Sequence, residues 1–260
     1  QAGVRFYCHI MTTQRIHLVQ PSADAGGIES IPTVIVGGGQ AGLAMGYYLQ
    51  QAGEQFVILD AELRIGDVWR HRWDSLKLFS FPKYASLPGW PMQLSSFPTH
   101  NEMADYLEEY AQRFELPVRS GVRATRVSRS GSGFRVETSH GVLRCDRVVI
   151  ATGGYSRPVV PTFADELGPG IRQLHSSAYK NSSQLEGTVL VVGAGNSGAE
   201  IALEAVRSGH QTWLSGRHPG QVRPRDAQVR SRLEGSTDEA DDDGTGLGRW
   251  GDAGTGREPC

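Results

Sequence analysis

Two short glycine-rich stretches hold the residues whose spacing is most informative about chemistry. The first has the spacing Gly-x-Gly-x-x-Gly, with Gly37, Gly39 and Gly42. In this spacing the first glycine permits a tight turn, the second lets the backbone approach a pyrophosphate, and the third lets a helix pack closely on a strand. A helix starting at Gln40 and Ala41 directs free N–H groups at the phosphates. Asp60 follows the next apolar run, where a carboxylate can accept the hydroxyls of a ribose.

The second stretch repeats this spacing and differs at the end of the strand that follows. Its residues are Gly193, Gly195 and Gly198, with Asn196 and Ser197 between them. In place of a carboxylate, the next apolar run ends at Ser215 and Arg217. A hydroxyl and a guanidinium suit a ribose 2′-phosphate, whereas a carboxylate would repel it. The alternative interpretation of Arg217 is a solvated surface residue.

The two stretches predict different dinucleotides in one chain. The first site favours a free 2′-hydroxyl and the second a 2′-phosphate. FAD and NADPH together satisfy both preferences, and we therefore expect these two cofactors. Hydride transfer between them is the chemistry that such a pair supports.

Apolar periodicity places each glycine stretch between a strand and a helix. The predicted elements are strand 31–36, helix 40–51 and strand 56–59, then strand 188–192, helix 196–208 and strand 212–214. This repeat predicts an α/β fold with two Rossmann-like dinucleotide-binding modules. The intervening sequence predicts a helix over 103–114 and an antiparallel β insertion with strands at 118–119, 122–127, 134–138, 142–143 and 148–151.

The predicted domains follow from these elements. Residues 31–155 form an FAD-binding domain and residues 156–220 a partial NADPH-binding domain. Residues 1–30 lack a sustained period and are expected to be a loose leader, whose first ten residues precede a candidate initiator, Met11. Residues 221–260 are rich in Gly, Arg and Asp, so disorder is expected there. Such a tail is typical of a truncated or frame-shifted reading of a longer gene.

Composition excludes several classes of protein. The net charge of -2 gives no electrostatic reason to expect nucleic acid or anionic lipid as a partner. No apolar run approaches the ~20 residues that span a bilayer. The cysteines, Cys8, Cys145 and Cys260, form no CxxC pair, which excludes a local redox dithiol and fits a cytoplasmic protein. No metal-ligand cluster is visible, and the oligomeric state is not predicted.

Five motifs, in order along the chain, resemble the bacterial flavin-containing monooxygenase-like proteins among the class B flavoprotein monooxygenases. They occupy residues 37–43, 66–73, 151–154, 175–179 and 193–200. The resemblance implies that Trp69 and Arg70 contact FAD, with a buried tryptophan and a surface arginine as the alternative. It also implies that Ala124 lies near the adenine. The crossover segment that approaches the flavin or its phosphates would comprise Ala151, Thr152 and Gly153, unless this segment is only a hinge.

The fourth motif departs from the family pattern. His175 and Tyr179 are present, but Pro169 and Ile171 stand where the family has Phe and Gly. We interpret His175 as a linker residue in preference to a proton-transfer group. Residues 76–86 also lack the Asn that many members place near the flavin, so no catalytic residue is assigned.

The resemblance implies a reaction of a small-molecule substrate with oxygen. NADPH reduces FAD, and a flavin C4a-hydroperoxide then transfers one oxygen to a soft nitrogen or sulfur centre. Two alternatives stay open. One is an NADPH-dependent flavin reductase or oxidase without oxygen transfer, and the other is an inactive nucleotide-binding fragment.

Overall fold

A computed structural model describes residues 9–12, 28–155, 157–217 and 247–249. The chain divides into two compact units, Gln1–His71 with Ser80–Val159, and Arg72–Phe79 with Val160–Cys260. The strands of the first unit are β1 His9–Thr12, β2 Glu29–Ser30, β3 Thr33–Val36, β4 Phe56–Leu59, β5 Val118–Arg119, β6 Ala124–Ser130, β7 Gly133–Thr138, β8 Gly141–Cys145 and β9 Arg147–Ile150. Its helices are α1 Gln40–Gln51, α2 Asp67–Arg70, α3 Pro82–Ala85 and α4 His100–Arg113.

Two sheets form the first unit. A five-stranded sheet has the order β1-β9-β3-β4-β5, in which β9, β3, β4 and β5 run parallel and β1 is antiparallel to β9. A four-stranded sheet has the order β2-β8-β7-β6. All four residues of β3 are buried, as expected for a short apolar strand inside a parallel sheet.

The core of the first unit contains residues from both sheets. Val34, Val36, Val57 and Leu59 come from β3 and β4, and they cluster with residues of β7 and β8 such as Val136. The side chains of Ile35 and Ile58 lie on the opposite face of the sheet. A Cβ atom on Gly46 of α1 would lie 2.8 Å from the Cδ1 of Ile58. Hence α1 packs directly on this face of the strands.

Several predicted elements differ from those observed. The strands at 118–119 and 148–151 were expected to be antiparallel, but β5 pairs in parallel with β4, and β9 pairs in parallel with β3. Helix α4 begins at His100, before the predicted residue 103, because Thr99 and Glu102 form a capping box. Of the predicted loose leader, 1–30, the structure describes residues 9–12 and 28–30. Strand β1 within it pairs with β9, and the other leader residues lie outside the described part of the chain.

The second unit contains β10 Val189–Val192, α5 Asn196–Arg207, β11 Thr212–Ser215 and β12 Leu247–Arg249. Strands β10 and β11 are parallel, and β12 is antiparallel to β11. The rest of the predicted disordered tail, 221–260, lies outside the described residues. Residues 72–79 belong to this unit, since Asp74 N–H donates to the Lys180 carbonyl at 2.8 Å and Ser75 Oγ donates to Glu204 Oε2 at 2.6 Å.

Candidate functional site

The first glycine loop (residues 37–42) joins β3 to α1. Gly37 has a φ of 111° and its N–H donates to the Leu59 carbonyl at 2.7 Å. A Cβ atom on Gly42 would collide with the Gly37 carbonyl oxygen, so the helix start is in close contact with the turn. Gly39 precedes α1 without a side-chain cap, and a Cβ atom on it would have no neighbour within 4 Å. The first turn of α1 therefore presents free N–H groups beside an open position, as an anion site requires.

Asp60 lies against this loop. A Cβ atom on Gly38 would be 2.6 Å from its Oδ2, so the carboxylate is turned towards the glycines. Its backbone is held between the Arg119 carbonyl, at 3.0 Å, and the Val122 N–H, at 2.8 Å. Burial raises the pKa of Asp60, an effect opposed by its hydrogen bond from the Glu62 N–H. The predicted ribose-binding carboxylate thus lies beside the first glycine loop, and its role there remains a prediction.

The segment after β9 meets the same loop. Ala151 N–H donates to the Val36 carbonyl at 2.8 Å, and a Cβ atom on Gly37 would lie 2.4 Å from the Ala151 carbonyl oxygen. Thr152 and Gly153, which follow, are exposed. The structure therefore brings the predicted crossover segment together with the first glycine loop.

Trp69 also lies beside the loop, but Arg70 is turned to other partners. Trp69 is half-buried in α2, and its Nε1 donates to Gln40 Oε1 at 3.3 Å. Arg70 is hydrogen-bonded to Asp105 and Glu108 on α4, to Asp67 and to a backbone carbonyl. The Arg64 guanidinium lowers the pKa of Glu108, chiefly through its hydrogen bond.

Two further predicted contacts lie in different settings. Ala124, at the start of β6, is half-buried and packs against the core of the first unit. Ala41, in the first turn of α1, is exposed. Both remain predictions as cofactor contacts.

The second glycine loop (residues 193–198) repeats the geometry of the first. Gly193 has a φ of 106°, and its N–H donates to the Ser215 carbonyl at 2.7 Å. A Cβ atom on Gly198 would collide with the Gly193 carbonyl oxygen. Gly195 precedes α5, and a Cβ atom on it would have no neighbour within 4 Å. The first helical residues, Asn196 and Ser197, follow directly.

The corresponding hydrogen bonds of Leu59 and Ser215 align the two strand–helix–strand segments. On this alignment the counterpart of Asp60 is Gly216, and Arg217 stands one residue later. A Cβ atom on Gly216 would lie 2.7 Å from the Ala194 nitrogen, so the strand end is in close contact with the loop. Arg217 is exposed. Gly216 was not among the residues predicted from the sequence, although it follows Gly198 at the same interval as Asp60 follows Gly42.

The His175 motif is a supporting structure in the second unit. His175 Nδ1 accepts from the Ser177 N–H at 3.1 Å and lies 2.8 Å from its hydroxyl oxygen. Tyr179 is 2% exposed and packs with Trp73 and Ile201. Burial raises the pKa of Tyr179, and the nearby Glu204 carboxylate raises this pKa further. These contacts stabilise the second unit locally.

Two other features are absent from the described part of the chain. It contains no group of three or more His, Cys, Asp or Glu residues arranged to hold a metal ion. None of its helices has both the length and the apolarity needed to cross a membrane.

Comparison with known proteins establishes the family. A protein-family model described as pyridine nucleotide-disulphide oxidoreductase matches residues 34–241. This match covers more than half of the chain, and the protein therefore belongs to the pyridine nucleotide-disulphide oxidoreductase family. The predicted oxidoreductase class is confirmed.

Two curated relatives show which kinds of oxidoreductase the chain is similar to. An uncharacterized CzcO-like oxidoreductase of Geobacillus kaustophilus is 44% identical over 204 residues, covering 77% of this chain and 58% of that protein. The probable indole-3-pyruvate monooxygenase YUCCA3 of Arabidopsis thaliana is 32% identical over 216 residues, covering 77% of this chain and 49% of the relative. The chain thus spans about half the length of these relatives.

A solved structure supports the same relationship. The flavin-containing monooxygenase from Stenotrophomonas maltophilia is 36% identical with a TM-score of 0.70, covering 78% of this chain and 63% of that one. The resemblance to flavin-containing monooxygenases is therefore confirmed. Flavin monooxygenases use FAD and NADPH, so the predicted cofactors are those of this group.

Proposed function

We propose that this chain is the dinucleotide-binding part of an FAD- and NADPH-dependent monooxygenase that acts on a small molecule with a soft nitrogen or sulfur centre. The observation that carries the proposal is the contrast between two otherwise equivalent loops. Asp60 follows β4, whose last carbonyl accepts a hydrogen bond from the first loop. Gly216 and Arg217 follow β11, whose last carbonyl accepts a hydrogen bond from the second loop. In this proposal both strand–helix–strand segments are Rossmann-like modules.

The first loop fits FAD. Its open side at Gly39 admits a pyrophosphate to the N-terminus of α1, and Asp60 would accept the ribose hydroxyls. Ala151 and Trp69 lie against the same loop, directly and through Gln40 respectively. Ala124, Thr152 and Gly153 remain proposed contacts on the resemblance alone.

The second loop fits NADPH better than NADH. Gly216 places no carboxylate where a 2′-phosphate would sit, and Arg217 supplies a planar cation next to that position. Ser215, Asn196 and Ser197 add hydroxyl and amide groups at the same ends of β11 and α5. Charge at the ribose thus discriminates between the two coenzymes.

When bound, the two cofactors supply hydride transfer and the activation of oxygen. This chain contributes binding, orientation and charge. In this proposal the reacting atoms belong to the cofactors. The substrate class rests on the resemblance to flavin-containing monooxygenases.

The test is made on the purified full chain. We expect FAD to bind stoichiometrically in a fluorescence titration and NADPH to bleach the flavin absorbance anaerobically. An aryl alkyl sulfide and an N,N-dialkylaniline, supplied with isotope-labelled oxygen, should yield labelled sulfoxide and N-oxide. NADPH consumption that forms only hydrogen peroxide would support the oxidase alternative. A chain that binds no FAD would refute the proposal.

A further inference from the structure

The hydrogen bonds of Arg70 are directed within the protein. Its Nη1 donates to the Ile65 carbonyl at 2.8 Å and to Asp67 Oδ1 at 3.1 Å. Its Nη2 donates to Asp105 Oδ1 at 2.8 Å and to Glu108 Oε2 at 3.0 Å. A guanidinium has five N–H donors, so these bonds leave only the Nε–H for any other acceptor. The side chain is 16% exposed.

The acceptors tie α2 to α4. Asp105 and Glu108 are three residues apart on α4 and therefore lie on one face of that helix. Glu108 also binds Arg64, whose Nε donates to Glu108 Oε1 at 2.6 Å. Arg70 thus joins the end of α2 to a carboxylate pair whose own orientation is held by α4.

Helix α2 depends on such contacts for its orientation. It has four residues, too few for a helix to be stable by itself. Gly66 precedes it with a φ of 90°, and a Cβ atom there would collide with the Ala104 carbonyl of α4. Gly66 at the beginning of α2 and Arg70 at its end are therefore both fixed to α4.

We propose that Arg70 is a positioning residue, which fastens α2 to α4 and so holds Trp69 beside Gln40 of the first glycine loop. In this role it does not contact FAD itself, contrary to what the family resemblance implies. The hydrogen bond from Trp69 Nε1 to Gln40 Oε1, at 3.3 Å, connects α2 to the first residue of α1. The consequence for cofactor affinity rests on the proposed function.

The first experiment compares Arg70→Ala with Glu108→Gln in FAD titrations of the full chain. If Arg70 acts through α4, both substitutions weaken FAD binding, by roughly 2- to 30-fold, and the double variant loses no more than the stronger single one. If Arg70 contacts FAD directly, Glu108→Gln leaves the affinity unchanged or raises it, which overturns the proposal. Arg64→Ala, which removes only the exposed partner of Glu108, should change the affinity little.

The second experiment needs no cofactor. The amides of Trp69, Arg70 and His71 donate to the carbonyls of Gly66 and Asp67 at 2.8 to 3.1 Å. Millisecond hydrogen exchange at these amides should be faster in Arg70→Ala and in Glu108→Gln. Unchanged exchange in both variants overturns the proposal, whatever the FAD titration gives. If the wild-type chain binds no FAD, the proposed function fails while this measurement still decides the role of Arg70.

A matched control is available in the same unit. Arg147 pairs with Glu54 at 2.5 Å, with side chains 21% and 16% exposed, at the start of β9 and thus at the opposite end of the strands from the loop. Arg147→Ala should leave both exchange in α2 and FAD affinity unchanged. If Arg70→Ala does not fold, Arg70→Lys replaces it, because lysine keeps the charge without the planar fork.

Discussion

A Cβ atom on Gly37 would lie 2.4 Å from the Ala151 carbonyl oxygen, whereas a Cβ atom on Gly39 would have no neighbour within 4 Å. Two glycines of one motif therefore have different physical roles. Gly37 is required by the fold, because it combines a φ of 111° with this close approach. Gly39 has open space around it, so we expect it to be required only by a ligand that approaches the backbone.

This difference predicts opposite effects of two alanine substitutions. Gly37→Ala should lower the free energy of unfolding by at least about 2 kcal/mol, because it adds backbone strain and a collision. Gly39→Ala, at a φ of -81°, should cost less than about 1 kcal/mol and yet weaken FAD binding. Urea denaturation and FAD titration measure the two effects. Equal destabilisation by both substitutions would contradict this assignment.

We expect FAD binding to depend on pH through the ionisation of Asp60. The ionised carboxylate accepts stronger hydrogen bonds from ribose hydroxyls than the neutral acid does. Burial raises its pKa above the usual 3.8, so FAD affinity should fall as the pH is lowered through that raised value. The loss should reach about 10-fold or more, given the strength of hydrogen bonds to charged groups.

The control for this prediction is Asp60→Asn, whose FAD affinity should be low throughout and independent of pH in the same range. Fluorescence titration at several pH values measures both proteins. A wild-type affinity with the same pH dependence as that of the variant would show that Asp60 does not bind the ribose.

We expect Arg217 to determine the preference for NADPH over NADH. Arg217→Ala should weaken NADPH binding by roughly 10- to 150-fold, the usual range for hydrogen bonds to a charged group, and should leave NADH binding nearly unchanged. Arg207→Ala is the matched control, since Arg207 is exposed at the far end of α5. Equal losses for both coenzymes would argue that Arg217 does not contact the 2′-phosphate.

We expect the thiol of Cys145 to be chemically inert in the folded chain. It is 6% exposed, and burial raises its pKa to about 12. Because the thiolate is the reactive form, iodoacetamide at mildly alkaline pH should modify Cys145 much more slowly in the native protein than in guanidinium chloride. Peptide mass spectrometry after timed labelling gives both rates. Similar rates in the two conditions would contradict the buried position.

Local signals in the sequence were sufficient to predict the two strand–helix–strand segments and their glycine loops. Glycine spacing and apolar runs are such signals, and α1 and β4 have the predicted bounds. The Asp60 carboxylate was predicted for the same reason, since its place follows from the length of a strand. The capping box of Thr99 and Glu102 was an equally local signal for the true start of α4.

Which strands and side chains become neighbours depends instead on long-range packing. An apolar run indicates burial but not its partner strand, so β5 and β9 could not be assigned to the parallel sheet in advance. The two partners of Arg70 on α4 lie 35 and 38 residues away in sequence, on a helix whose docking is a long-range event. Likewise, the close approach of Gly216 to the Ala194 nitrogen depends on the folded chain, because α5 and β11 separate these two residues in sequence.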